Sequence, residues 1–187
     1  MKIGIDIDDT MADTFEYLMP YIAEFFNIDI KYLKDNNISY SNLPKGMKEL
    51  EYEFAKKYYD IVIPNTPFKH KVSEYIDKIK DLGHEIIVIT ARNNMLYTDE
   101  YKTTIDELKR NNIHYNKLIC DFNKVKVCKN EKIDLFIDDS IENCSKVSEL
   151  GIETLLFNSK VNMNCKTNLC RIDNWEEIYE KISKNGE

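Results

Sequence analysis

The sequence predicts an α/β protein with a parallel sheet and a long helical segment inserted after the first strand. Three observations support this prediction. Five short apolar runs, such as IIVIT, are typical of strands buried on both faces. Helical patterns separate these runs, and alternating strands and helices favour a parallel sheet with right-handed crossovers. Finally, residues 8–84 form an interval far longer than one crossover helix needs.

The five strands are predicted from apolar runs bounded by polar or turn-forming residues. They are Lys2–Ile7, Glu85–Thr90, Lys117–Cys120, Asp134–Asp138 and Thr154–Phe157. The segments between them carry apolar residues at helical spacing, and we expect buried faces at Val72, Ile76 and Ile79 in one helix and at Ile105 and Leu108 in the next. Ser140 and Asn174 are typical helix-capping residues and predict the starts of two further helices.

The long interval after the first strand is rich in Tyr and Phe. The stretches FEYLMPYIAEFF and EYEFAKKYYDIV predict two amphipathic helices there. We expect residues 14–68 to form a helical cap, and residues 1–13 and 69–187 to form the core domain. An enlarged helical layer packed on the sheet is the alternative. The cap is favoured because ligands of such sheets bind outside the carboxyl ends of the strands, where this insertion begins.

Composition limits the possible partners. Lys and Arg number 26 against 33 Asp and Glu, a net charge of −7, which argues against nucleic-acid polymers and anionic membranes. The sequence shows neither a leader pattern nor an apolar run of membrane-spanning length, and its five cysteines form no C-x-x-C pair. We therefore expect a cytoplasmic protein with reduced thiols. Nothing in the sequence indicates an oligomeric state.

Acidic residues follow two of the predicted strands. Asp6, Asp8 and Asp9 end the first strand, and Asp138 and Asp139 end another. Because the carboxyl ends of parallel strands meet at one edge of a sheet, the two groups are expected to converge. Like charges this close repel one another and raise one another's pKa, so a cation is needed between them. Oxygen ligands with room for a phosphate and water are typical of Mg²⁺ sites.

Phosphate-binding groups are predicted near the same edge. Thr90 ends the second strand with a hydroxyl, and the amides of the following turn, beginning at Ala91, are further donors. A lysine near this edge could add an ammonium group. Lys124 precedes the acidic pair by one short helix, and Lys126 is the competing candidate.

The motifs occur in the order D-x-D-x-T (DIDDT), a strand ending in Thr (VIT), a Lys, and an acidic pair (IDD). In this combination the chain resembles the haloacid dehalogenase superfamily of phosphohydrolases, whose core is a Rossmann-like sheet. Within that superfamily it is most similar to the 5′(3′)-deoxyribonucleotidases and the bacterial nucleotidases related to them. The resemblance implies a phosphomonoesterase that acts through an aspartyl-phosphate, with a nucleoside monophosphate as the expected substrate.

The resemblance also implies roles for individual residues. Asp6 would be the nucleophile, and Asp8 the acid and base. Asp6, the Asp8 backbone carbonyl and Asp139 would bind Mg²⁺, with Asp138 in support. Thr90, Ala91 and Lys124 would hold the phosphate. The tripeptide TAR departs from the pattern of the nucleotidases, so Arg92 either contacts substrate or caps the next helix.

Two alternatives to a nucleotidase stay open at this stage. The first is a phosphatase for another small phosphorylated metabolite. The second is a non-catalytic module, receiver-like or binding, on the same scaffold. In a receiver domain the acidic pair follows the first strand and the phosphorylated Asp lies on a middle strand, which is the reverse of the order here.

Overall fold

The structure is a computed structural model that describes residues 1–39 and 42–184. Its centre is a six-stranded sheet with the spatial order β3-β2-β1-β4-β5-β6, in which every neighbouring pair is parallel. The strands are β1 (Lys2–Ile5), β2 (Glu85–Thr90), β3 (Lys117–Cys120), β4 (Leu135–Asp138), β5 (Glu153–Phe157) and β6 (Arg171–Ile172). The strand order reverses between β1 and β4, which is where sheets of this type bind ligands.

Nine α-helices are described outside the sheet. Four lie between β1 and β2: α1 (Thr14–Phe26), α2 (Ile30–Asp35), α3 (Lys45–Lys48) and α4 (Glu51–Val62), the last followed by a short 3-10 helix (Ile63–Asn65). The others are α5 (Val72–Asp81), α6 (Glu100–Arg110), α7 (Lys124–Glu131), α8 (Ile141–Ser148) and α9 (Trp175–Lys184). None of the helices in the described part of the chain is long and apolar enough to cross a membrane.

The predicted α/β class and parallel sheet are confirmed, with differences at the ends of elements. Strand β1 stops at Ile5 because the Ile7 carbonyl accepts hydrogen bonds from three amides of the following turn. The predictions missed β6, a two-residue strand. The expected buried face of α6 is wrong at Ile105, which is 43% exposed, whereas Leu108 is fully buried. Ser140 caps α8 as predicted, accepting from the Asn143 amide.

Apolar clusters cover both faces of the sheet. One contains Ile3, Ile5 and Trp175, and the other contains Ile89 and Phe136. Gly4 on β1 faces the second cluster, where a Cβ atom would lie 3.0 Å from Ile89 and 3.2 Å from Phe136. The close packing of the central strand therefore depends on a glycine at this position.

A third apolar cluster lies within residues 14–68. It joins Phe15 and Leu18 of α1 to Phe54 and Tyr58 of α4, and its members are distinct from those of the two sheet clusters. The two connections to the core run side by side: the Asp13 amide donates to the Pro67 carbonyl at 3.0 Å.

Candidate active site

Acidic side chains meet at the carboxyl ends of β1 and β4, the two strands at the reversal of the sheet order. One carboxylate oxygen from each of Asp6, Asp138 and Asp139 lies within 4.8 Å of the other two. The Asp6 amide donates to the Ile137 carbonyl at 3.0 Å and so extends the pairing of the two strands by one residue. Strand pairing thus brings together carboxylates that are more than 130 positions apart in the sequence.

The turn after β1 positions the next two acidic residues. Asp9 has a positive φ of 59°, which turns the chain sharply. Its carboxylate accepts a hydrogen bond from the Phe15 amide at 2.9 Å and so stabilises the start of α1. Thr14, the first residue of α1, donates from its hydroxyl to Asp8 Oδ1 at 2.9 Å. The first helix of the insertion therefore begins in direct contact with the acidic loop.

Lys124 at the start of α7 lies inside the acidic cluster. Its Nζ is 2.6 Å from Asp6 Oδ1 and 2.7 Å from Asp138 Oδ2, and its side chain is only 4% exposed. Burial alone would lower the pKa of Lys124, but the charges of Asp138 and Asp6 outweigh it and raise that pKa. Lys126, the competing candidate, is exposed. Of the two lysines, the structure places Lys124 at the site.

The cluster carries more negative charge than its cations offset. Burial raises the pKa of Asp6 to about 7. The charges of Asp138 and Asp8 add to this rise, and the charge of Lys124 opposes it. Burial, together with the charges of Asp9 and Asp138, raises the pKa of Asp139 well above its usual value. Hard carboxylate oxygens with excess negative charge fit a divalent cation such as Mg²⁺. The residues present therefore suit the metal that the sequence motifs imply.

The two members of the acidic pair have different partners. Asp138 accepts from the Ser140 amide at 2.7 Å through Oδ1, and from Lys124 and the Asn143 side chain through Oδ2. Asp139 accepts from the Ser159 hydroxyl at 3.1 Å through Oδ2. Asp138 thus holds the lysine and the start of α8, which leaves Asp139 better placed to offer an oxygen to a cation.

Arg92 pairs with Asp8. Its Nε donates to Asp8 Oδ2 at 3.1 Å and its Nη2 to Asp8 Oδ1 at 2.9 Å, in a bidentate arrangement. Burial tends to raise the pKa of Asp8, but the Arg92 charge and the hydrogen bonds from Arg92 and Thr14 outweigh it and lower that pKa. Arg92 does not cap the next helix: α6 starts at Glu100 and is capped by the Asp99 side chain.

Thr90 and Ala91 lie at the carboxyl end of β2. The Thr90 side chain is fully buried, and its hydroxyl accepts a hydrogen bond from the Arg92 amide at 3.4 Å. Of the two residues, Ala91 lines the cavity above the acidic cluster. The turn therefore presents backbone to the cavity, while the Thr90 hydroxyl braces that turn.

Two adjoining cavities open at this edge of the sheet. The larger, of about 660 Å³, is lined by the acidic cluster, Lys124 and residues of the loops after β4 and β5. The smaller, of about 230 Å³, shares Asp8 and Ala91 with it. Its walls are mostly apolar and aromatic, and come from both the insertion and the core: Tyr59, Ile63, Leu96, Tyr97 and Phe122. A polar cavity at the carboxylates thus continues into an aromatic one.

Several residues that support the site belong to none of the sequence motifs. Asn162 donates to the Asp139 carbonyl at 2.7 Å, and Ser159 donates to the Asp139 carboxylate. Both residues lie in a polar loop that carries no motif. The position of this loop after β5, a strand of the same sheet, was the only sequence signal that could have indicated them. Glu107 contacts Arg92 and is fully buried. Glu107 adjoins Leu108 on the buried face of α6, and this position was the sequence signal that could have indicated its burial.

Comparison with known proteins identifies the family. The family model described as "5' nucleotidase, deoxy (Pyrimidine), cytosolic type C protein" matches residues 1–185. The chain belongs to this nucleotidase family. A Bacillus subtilis (strain 168) relative, "Putative nucleotidase YqfW", is 31% identical over 191 residues, which cover 99% of this chain and 95% of the relative. "Nucleotidase CA_C3379" of Clostridium acetobutylicum is 28% identical, covering 98% and 94%.

The solved structures show the same fold. The "haloacid dehalogenase-like family protein SP0104" of Streptococcus pneumoniae aligns with a TM-score of 0.65 and 13% identity, covering 96% of this chain and 97% of that one. The nucleotidase therefore has the haloacid dehalogenase-like fold with a Rossmann-like core, as its motifs imply. It is a hydrolase of the phosphatase class, so the alternative of a non-catalytic module is wrong.

Proposed function

We propose that this nucleotidase hydrolyses nucleoside 5′-monophosphates with Mg²⁺, through an aspartyl-phosphate intermediate on Asp6. The observation that carries the proposal is the position of Asp6, buried at the end of the central strand and in contact with Lys124. Asp139 lies beside it and Asp8 follows in the same loop. A nucleophile, a fixed positive charge and a second carboxyl group suited to proton transfer therefore line one cavity.

The reaction has two halves. In the first, a carboxylate oxygen of Asp6 attacks the phosphorus, the bond to the ester oxygen breaks with its electron pair on that oxygen, and Asp8 in its protonated form supplies the proton and becomes a carboxylate. In the second, water attacks the phosphorus of the aspartyl-phosphate, Asp8 accepts a proton from that water, and the bond to Asp6 breaks to release phosphate. Dividing the hydrolysis in this way replaces one high barrier with two lower ones.

Asp6, Asp139 and the Asp8 backbone carbonyl are the proposed ligands of Mg²⁺, with Asp138 in support. Haloacid dehalogenase phosphatases generally use this ion, which stabilises negative charge on the transferring phosphoryl group. Lys124 contributes a positive charge to the same place and reduces the repulsion between Asp6 and the phosphate dianion. The amide of Ala91 and the turn braced by Thr90 are the proposed donors to the remaining phosphate oxygens.

Residues 14–68 are proposed to act as the cap that selects the substrate. Thr14, Tyr59 and Ile63 of this segment line the smaller cavity together with Tyr97 and Phe122 of the core. Aromatic walls next to Asp8, where the leaving group departs, suit the flat base of a nucleoside. The relatives are named as nucleotidases, which agrees with a nucleotide as the substrate. The second candidate is a phosphatase for another small phosphorylated metabolite, which the polar cavity alone would also accept.

A screen for phosphate release tests the proposal. The purified protein with Mg²⁺ is incubated with ribo- and deoxyribonucleoside 5′- and 3′-monophosphates and with sugar phosphates. The expected result is the highest kcat/KM on a nucleoside 5′-monophosphate. A higher kcat/KM on a sugar phosphate would favour the second candidate, and no release from any phosphomonoester would reject the proposed reaction.

A further inference from the structure

A buried charge chain lies behind Asp8. Arg92 holds both Asp8 carboxylate oxygens, and its Nη1 donates to Glu107 Oε2 on α6 and, at 3.5 Å, to the Thr104 hydroxyl. The side chains of Arg92 and Glu107 are 2% and 0% exposed. A buried arginine between two carboxylates joins the loop after β1 to helix α6, which follows β2 in the chain. Neither Arg92 nor Glu107 has a role in the reaction as proposed above.

Arg92 is largely committed to protein partners, although it lines part of the smaller cavity. Its three guanidinium nitrogens all donate to protein oxygens, and almost none of the side chain is accessible. The guanidinium carbon also lies 5.8 Å from the centre of the Tyr97 ring, which covers it. Four of the five N–H groups of this cation therefore hold Asp8 or are held by α6.

The chain leaves the Asp8 carboxylate little freedom. A bidentate arginine fixes the plane of a carboxylate as well as its position. Thr14 adds a third donor from the insertion side. Glu107 in turn fixes the arginine, and its second oxygen, Oε1, has no hydrogen-bond partner among the described residues. A buried carboxylate with one unpaired oxygen is costly, and its ion pair with Arg92 offsets part of that cost.

We infer that Arg92 and Glu107 are positioning residues that hold the Asp8 carboxylate at the oxygen of the leaving group. The inference rests on the proposed function, since it concerns the proton transfer by Asp8. Arg92 does the holding because of its planar fork, which a lysine cannot replace. Glu107 keeps the fork turned towards Asp8. This role also explains why the nucleotidase has an arginine in the tripeptide TAR.

Leaving groups of different basicity distinguish this role from a structural one. An alkoxide, such as the 5′-oxygen of a nucleoside, needs a proton as it departs, whereas p-nitrophenolate departs without one. Misplacing Asp8 should therefore slow the hydrolysis of alkyl phosphates much more than that of p-nitrophenyl phosphate. The value of kcat/KM is the proper measure, because it reports the steps up to the departure of the leaving group.

The experiment compares Arg92→Lys and Glu107→Gln with wild type. Arg110→Lys and Asp106→Asn, at exposed positions of the same helix α6, are the matched controls. For each protein, kcat/KM is measured on the best alkyl phosphate of the screen and on p-nitrophenyl phosphate. The inhibition constant of inorganic phosphate and the melting temperature are measured as well.

We expect Arg92→Lys to lower kcat/KM on the alkyl phosphate about tenfold or more, with a loss on p-nitrophenyl phosphate at least about threefold smaller. Glu107→Gln should likewise lower kcat/KM more on the alkyl phosphate than on p-nitrophenyl phosphate. The inhibition constant of phosphate should stay within about twofold of wild type, since neither residue is a proposed phosphate ligand. The two controls should match wild type on both substrates.

Several results would overturn the inference. Equal losses on both substrates would show a general structural role, and a large rise in the inhibition constant of phosphate would show substrate binding by Arg92. Loss of cooperative unfolding in both variants would assign the pair to stability alone; if only one variant folds, that one decides the comparison. Wild-type protein inactive on every phosphomonoester would instead reject the proposed function, a result distinct from all of these.

Discussion

Replacing Asp6 by asparagine should stabilise the metal-free protein and at the same time abolish its phosphatase activity. Asp6 is 4% exposed and, within the described part of the chain, forms an ion pair with Lys124. Burial and the nearby carboxylates nevertheless raise its pKa from 3.8 to about 7. A group whose pKa is raised in this way is less stable as an anion in the folded protein than in the unfolded chain. Asparagine has nearly the same shape and removes that anion.

The pKa of Asp6 sets the size of the effect. Each pKa unit corresponds to about 1.4 kcal/mol, so the rise from 3.8 to about 7 amounts to at most about 4 kcal/mol. Asparagine also removes an ion pair of Lys124, which keeps Asp138 at 2.7 Å as its remaining partner. We expect a net gain of about 1–3 kcal/mol in the free energy of unfolding above pH 7. For a domain of this size that is a rise of about 3–9 °C in melting temperature.

The gain should depend on pH in a defined direction. Above pH 7 Asp6 is charged in both states and its full penalty is present. As the pH falls from 7 towards 3.8 the folded protein takes up a proton first, so the penalty shrinks, and below 3.8 it is gone. Thermal unfolding of wild type and Asp6→Asn, followed by circular dichroism in excess chelator at pH 8 and pH 4, measures this. Asp106→Asn, which removes an exposed carboxylate, is the control and should change little.

Added Mg²⁺ should stabilise wild type more than Asp6→Asn, because the variant has lost a proposed ligand. Two results would refute the reasoning. A melting temperature of Asp6→Asn equal to or below that of wild type at pH 8 in chelator would contradict the electrostatic argument. Retention of most of the phosphatase activity would contradict the assignment of Asp6 as the nucleophile.

Three further predictions concern activity. Excess chelator should reduce phosphate release to background and added Mg²⁺ should restore it; full activity with the metal shown absent by elemental analysis would disprove the metal requirement. Asp8→Asn should lower kcat on an alkyl phosphate about 10²–10⁴-fold through loss of proton transfer, and a change below tenfold in steady-state assays would count against that role. Tyr59→Ala should change the ratio of kcat/KM between purine and pyrimidine monophosphates, whereas Lys124→Met should lower kcat/KM on all of them by a similar factor. An unchanged ratio in Tyr59→Ala would argue against base recognition by the smaller cavity.

Local patterns were sufficient for most of the fold. Strand β2 and helix α4 have the bounds that their apolar patterns predict, because each run of side chains can be buried in only one kind of element. Strand β6 could not be predicted in this way. Its two residues form a strand only because they pair with Leu156 and Phe157 of β5, at the edge of the sheet.

The identity of the lysine in the acidic cluster shows where local patterns end. Lys124 and Lys126 lie two positions apart on α7, so about 200° of rotation separates them around the helix axis. The sequence placed both at the start of the same helix. Only the packing of α7 against the sheet turns Lys124 towards Asp6 and leaves Lys126 exposed.

The sequence by itself determined the class of fold, the parallel direction of the strands and hence the meeting of Asp6 with Asp138 and Asp139 at one edge. These properties follow from short-range patterns, since the end of a strand is encoded within a few residues. Only the tertiary structure decided which side chains pair there. Arg92 and Asp8 are 84 positions apart, and Glu107 lies on a helix beyond both. Their contact depends on how the helix, sheet and insertion pack together, and no local pattern of residues specifies that packing.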